Sequence, residues 1–178
     1  MATLQRRQYQ VFIDRPPKDV FEFHASLKNY ARIAPAEQQE AILEENENAA
    51  ALTNGMHIRW RMRLGGLWQV IETEICDLNC PSGFAERQVA GPFAQFLHRR
   101  RFAPFQSGTL FTETVEYAPV GPLGALADRL WMGKFFDSVF TQRHREAKRL
   151  LELLTQMRGR DVTASHLSPS AELPEDSV

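Results

Sequence analysis

The apolar positions change period three times along the chain. Tyr9, Val11 and Ile13 alternate with polar residues, which predicts a first strand ended by Pro16 and Pro17. Residues 19–30 then place Val20, Phe21, Phe23, Leu27 and Tyr30 at helical spacing, predicting one or two short helices broken before Pro35. Residues 38–45 read as a polar edge strand. From there the period is two. Met56, Ile58, Trp60, Met62 and Leu64 alternate with His57, Arg59, Arg61 and Arg63, the pattern of a strand with one apolar and one basic face. Gly65-Gly66 predicts a tight hairpin turn, residues 67–76 a further strand, and Asn79, Pro81, Ser82 and Gly83 a turn cluster. Strands over 84–90 and 93–102 hinge at Gly91-Pro92, and a last strand over 109–117 ends at Pro119.

The period then becomes helical over residues 122–155. Leu123, Leu126, Leu130, Trp131, Phe135, Val139, Phe140, Ala147, Leu151 and Leu154 recur at three- and four-residue steps. Pro122 suits the first turn, and Gly159 is expected just past the end. Arg143, His144, Arg145, Lys148 and Arg149 gather toward the C-terminal half, where a helix dipole favours cations. The order is strand, short helices, six strands, long helix. Short loops make consecutive strands antiparallel, so the fold class is α+β: a curved antiparallel sheet of about seven strands wrapped around a long C-terminal helix. Residues 1–156 are expected to form the domain. Residues 157–178, with no aromatic residue and four acids against two arginines, are expected to be a disordered tail.

Composition narrows the function classes. The chain has 178 residues, 43% of them apolar, with Lys+Arg 21 against Asp+Glu 22 and a formal net charge of -1. A domain near 150 residues buries enough surface to fold without disulfides or metal. Near-neutral charge argues against a nucleic-acid partner, for which a basic surface is the rule. Cys76 and Cys80 are the two cysteines, and no second Cys/His pair completes a metal site, so reduced thiols are expected. The N-terminus lacks a signal-peptide core, and no apolar run is long enough to span a membrane, which makes the cytoplasm the default compartment. No nucleophile elbow, phosphate loop, dinucleotide fingerprint or metal motif is present, so no cofactor is called for.

Three stretches carry a family resemblance: GPFAQFLHRRRF from Gly91, GTLFTETVEY from Gly108, and PVGPLGALAD from Pro119. Together with the element order they resemble the START-like (SRPBCC) superfamily. That group includes birch-pollen-type allergens, lipid-transfer domains and polyketide cyclase/dehydrases, and the wording is similar to a bacterial branch of it. The resemblance covers roughly residues 5–155 and implies the helix-grip fold, with an apolar pocket between sheet and helix. Phe96 stands where that branch often has Trp, Arg100 where it often has a second His, and Glu113 where it often has Asp.

Which residues face such a pocket follows from register. With Gln106-Ser107 as a two-residue turn, Phe105 opposes Gly108, Arg100 opposes Glu113, His98 opposes Val115 and Phe96 opposes Tyr117. Phe96, His98, Arg100 and Phe102 then share a face with Phe111, Glu113, Val115 and Tyr117, while Gln95, Arg99 and Arg101 face solvent. The candidate ligand-binding set is Trp60, Met62, Phe96, His98, Arg100, Phe111, Glu113, Val115, Tyr117, Trp131 and Phe135. Charges on an aromatic face are costly unless paired. Three roles fit: an Arg100–Glu113 pair that satisfies itself, the polar end of a ligand cavity, or an acid/base pair built on His98. Trp68 and Ile71 are expected in the core or pocket wall, Trp131, Phe135 and Phe136 on the long helix, where pocket lining and core packing explain them equally well, and His24 as a packed, hydrogen-bonded histidine. His57 on the outer face and His166 in the tail receive no role. The loop around Gly121 and Gly124 is expected to act as a lid.

These readings leave three functions open. The first is a small binding protein for a hydrophobic or amphipathic molecule or lipid. The second is a polyketide-cyclase-like enzyme using His98. The third is a protein, RNA or membrane-surface interaction module, through the sheet edge, in a homodimer, or through the outer arginines Arg59, Arg61, Arg63, Arg99 and Arg101.

Overall fold

A computed structural model describes residues 4–34, 39–42, 52–64, 66–120 and 128–165. Strand β1 (Gln5–Ile13) leads into two short helices, α1 (Pro17–His24) and α2 (Leu27–Ile33). Six strands follow: β2 (Gln39–Ile42), β3 (His57–Leu64), β4 (Leu67–Asn79), β5 (Gly83–Ala90), β6 (Phe93–Phe105) and β7 (Gly108–Pro119). A π-helical turn (Asp128–Met132) then opens the long helix α3 (Gly133–Ser165). The strands form one antiparallel sheet in the order β1-β7-β6-β5-β4-β3-β2. The chain's first strand closes beside its last because β1 pairs with β7 over its full length, Gln5 with Tyr117 and Ile13 with Thr109.

Sequence chemistry accounts for the breaks. Pro17 sits in the first turn of α1, where its missing N–H costs nothing, and Val20, Phe21, Phe23 and His24 form the buried side of that helix. Leu64 pairs with Leu67 across a two-residue turn whose Gly66 has φ +84°, a conformation open to glycine at no steric cost. On β3 every second residue is buried, and the arginines between them are exposed. The buried stripe of α3 is Phe136, Val139, Phe140, Arg143, His144, Ala147 and Leu151, at steps of three and four. It lies against the inner face of the sheet, with Tyr9 stacked on Phe140 at 4.8 Å between ring centroids.

Some expectations differ from the fold. The helix continues to Ser165, so Gly159 lies inside it, and the first part of the expected tail is helical. A glycine in a helix interior costs only about 1 kcal/mol relative to alanine, too little to end the helix by itself. Residues 166–178, the lid loop around Gly121 and Gly124, and the start of the expected helix at Pro122 lie outside the described residues. Trp68 is not in the core: it is 40% exposed, while Ile71 is buried. The reason is parity. Residues three apart on a strand face opposite sides, so Trp68 and Ile71 cannot both point inward.

Candidate functional site

The register between β6 and β7 is the one the turn dictates: Phe105 opposite Gly108, Arg100 opposite Glu113, His98 opposite Val115, Phe96 opposite Tyr117. Glu113 and Arg100 meet on the inner face, with Arg100 Nε 3.3 Å from Glu113 Oε1. The shortest contact of Arg100 is with Glu86 of β5, through Nη1 and Oε1. Glu86 is held from its other side, where its Oε2 accepts from the Trp60 indole N–H at 3.0 Å and from the Thr73 hydroxyl at 3.1 Å.

Glu113 collects the most partners. His98 Nε2 lies 3.0 Å from Oε1, Arg143 Nη2 lies 3.4 Å from the same oxygen, and His144 Nε2 lies 2.7 Å from Oε2. A carboxylate only accepts, so both histidines present Nε2–H to it. The two guanidinium groups also sit over rings. Arg143 is 4.3 Å from the Tyr30 centroid and 5.1 Å from Phe140, and Arg100 is 4.9 Å from Phe84. Two arginines face two glutamates, so the buried group is charge-balanced when its histidines are neutral.

Electrostatics sharpen the assignment. Burial works against ionisation of Glu113, but the Arg143 charge and the His144 and His98 hydrogen bonds outweigh it and hold its pKa well below the usual carboxylate range. Glu86 is lowered in the same way, burial opposing and Arg100 prevailing. Burial, and after it the Arg100 charge, push His98 down to about 4 against the opposite pull of Glu113. At neutral pH His98 is an uncharged donor.

Beside this network lies a cavity of about 30 Å³. Its polar wall is Thr73, Glu86, His98 and Arg143, and its apolar wall includes Trp60, Met62, Phe96, Phe135, Phe136 and Phe140. That volume holds a water molecule or two, far below the few hundred Å³ of a small-molecule site. A more open groove of about 420 Å³ lies apart from this network, lined by Phe21, Glu22, Leu52, Leu78 and Cys80.

Of the candidate set, Trp60, Met62, Phe96, His98 and Phe135 border the cavity. Arg100 and Glu113 sit in the network beside it and are not on its wall. Phe111, Val115 and Tyr117 are fully buried on the same sheet face but do not line the cavity: Phe111 packs on Phe102 at 4.9 Å, and Tyr117 packs behind the wall on Phe136 at 4.6 Å. Trp131 is half-buried, edge-on to Phe135. The expectation for His24 fails in one respect. It is buried, but neither ring nitrogen has a hydrogen-bond partner. It packs instead on Phe111 at 4.2 Å, and burial drives its pKa well down.

Glu86, Arg143 and His144 were not singled out from the sequence as site residues. Their signals were there. Glu86 shares strand parity with Phe84, and Arg143 and His144 follow Val139 and Phe140 by four residues, on the apolar stripe. Cys76 and Cys80 are free thiols, and among the described residues no group of side chains is arranged to hold a metal ion. No helix among them is long and apolar enough to cross a membrane.

The sequence matches the family model described as polyketide cyclase / dehydrase and lipid transport over residues 5–152. The chain belongs to this family. No curated protein matches it. Solved structures share its fold at low identity. A START superfamily protein from Mycobacterium smegmatis is 14% identical, with a TM-score of 0.64, covering 84% of this chain and 98% of that one. Ara h 8.0201 is 9% identical, with a TM-score of 0.60, covering 84% and 98%. The di-domain ARO/CYC BexL from the BE-7585A biosynthetic pathway is 18% identical, with a TM-score of 0.63, covering 82% of this chain and 49% of that one. The family's START-like helix-grip fold is therefore the fold of this chain.

Proposed function

We propose that the protein binds a small hydrophobic or amphipathic molecule between the sheet and α3, with the molecule's polar end toward His98 and Arg143. The observation that carries this reading is the composition of the cavity wall: aromatic on one side, with a few convergent polar groups on the other. Arg143 is 2% exposed, and its Nε has no hydrogen-bond partner, so a donor is left over at the cavity after the network is satisfied. With two buried arginines already set against two buried glutamates, the site suits a neutral oxygen acceptor, such as a carbonyl or hydroxyl, better than an anion. Arg100 Nε also lacks a hydrogen-bond partner, but Arg100 does not line the cavity, so Arg143 is the residue that receives it.

The cavity as described is too small for such a molecule, so binding requires the Phe135–Phe136 end of α3 to move outward from the sheet. Native mass spectrometry of the full chain as purified tests the reading. A retained small-molecule adduct supports it; bare protein from every preparation, with no adduct after incubation with lipid extract, opposes it.

The acid/base reading of His98 has one observation in its favour, its 3.0 Å hydrogen bond to Glu113. Two weigh against it. A pKa of about 4 makes a weak base at neutral pH, and Glu113 is shared with Arg100, Arg143 and His144 rather than dedicated to His98.

A further inference from the structure

The β3–β4 hairpin carries exposed apolar side chains at its turn end. Leu67, at the turn, is 67% exposed; Trp68 is 40% and Val70 43% exposed. Register puts Trp68 opposite Arg63 and Val70 opposite Arg61, and paired residues share a face. The turn end therefore carries Trp68 and Val70 interleaved with two exposed arginines, with Leu67 at the tip. Arg61 lies 4.7 Å from the Trp68 ring centroid, so the cation and the indole form one unit.

Away from the turn the same face is acidic as well as basic. Glu72 and Glu74 stand opposite Arg59 and His57, Glu72 bonds His57 at 2.7 Å, and Glu74 bonds Arg87 at 2.9 Å. Glu40 is opposite Arg61 on β2, which leaves the turn end with a small positive excess.

From this arrangement we infer that the β3–β4 hairpin docks the protein on an anionic lipid bilayer. Leu67 and Trp68 enter the interfacial region, while Arg61 and Arg63 contact lipid headgroups. An indole beside guanidinium groups, with an exposed leucine at the hairpin end, matches the chemistry of a bilayer interface, where tryptophan settles at headgroup depth and arginine pairs with anionic lipid. The small charge excess makes the apolar tip the main contributor and the docking reversible. This docking does not depend on what the cavity binds.

The test is co-sedimentation of the full chain with vesicles of phosphatidylcholine alone or doped with phosphatidylglycerol. The expected result is binding to the doped vesicles that falls at high salt, with a blue shift of tryptophan emission. Because Trp68 is exposed, Trp68→Ser leaves the fold intact, and it should abolish the shift and weaken binding about tenfold or more. The pair Arg61→Glu and Arg63→Glu should weaken binding by a similar factor. Absence of co-sedimentation, equal binding by the Trp68→Ser variant, displacement by single-stranded RNA, or a solution dimer that Trp68→Ser dissolves would each overturn the inference.

Discussion

Arg100 and Glu113 stand opposite each other on β6 and β7 with Nε and Oε1 3.3 Å apart, and neither is satisfied by the other alone. Arg100 leans on Glu86, while Glu113 draws in His98, Arg143 and His144. The unit is thus a network of two carboxylates and two guanidinium groups drawn from three strands and the long helix. Removing one charge from a buried pair strands its partners. Glu113→Gln should therefore destabilise the protein by about 3 kcal/mol or more. Urea unfolding measures this, and a loss below about 1 kcal/mol would mean that the network is wetter than its burial implies.

Acid should weaken the fold in a defined window. His98 has a folded pKa of about 4, against about 6.5 in an unfolded chain. Between those values the unfolded chain holds a proton that the folded one refuses, so stability is complete above about pH 6.5 and falls toward pH 4. Over the full window His98 alone contributes about 3 kcal/mol. His24, lowered in the same direction, adds to the slope. Below about pH 4.5 the lowered Glu86 and Glu113 continue the loss. Unfolding free energies at several pH values should show a flatter profile between pH 6.5 and 4 for His98→Gln than for the native chain.

His24 is a polar ring with no hydrogen-bond partner, tilted against Phe111 at 4.2 Å and Phe102 at 5.7 Å. A buried unsatisfied group costs about 1–3 kcal/mol. His24→Leu should accordingly raise stability by about 1 kcal/mol, read as a higher urea midpoint with an unchanged slope. A clear loss of stability would show that His24 has a partner after all.

Gly133 begins α3 directly under the Arg7 guanidinium, and a Cβ there would collide with it. Arg7 binds Asp137 at 3.1 Å and reaches the Tyr117 hydroxyl at 3.4 Å, tying β1 to the start of the helix. Alanine at a helical glycine normally gains about 1 kcal/mol. Gly133→Ala should give no such gain in the native background and recover it with Arg7→Ala. A double-mutant cycle by thermal or urea unfolding measures the coupling.

Much of this site could be read before any coordinates. The two-residue turn at Gln106-Ser107 sets the register, and it put Arg100 across from Glu113, and both on the inner face with His98, from sequence alone. Other parts were hidden for physical reasons. Arg143 and His144 sit in a run of basic residues that a helix C-terminus would attract anyway, so their place on the apolar stripe was masked by a simpler explanation. Glu86 lies on a strand whose alternation is weak, since Ala85 is also buried. Trp68 has the size of a core residue, but its parity with the buried Ile71 turns it outward. The size of the cavity depends on how closely α3 rests on the sheet, which no local pattern encodes.

The central claim is that the space between sheet and α3 receives a small molecule. The most direct measurement compares native mass spectra of the wild-type chain and Val139→Phe, which puts bulk into the cavity wall without touching the charged network. The account predicts a small-molecule adduct on the wild type that is absent from a Val139→Phe protein of unchanged far-ultraviolet circular dichroism. An adduct retained equally by both proteins, or carried by neither, would contradict it.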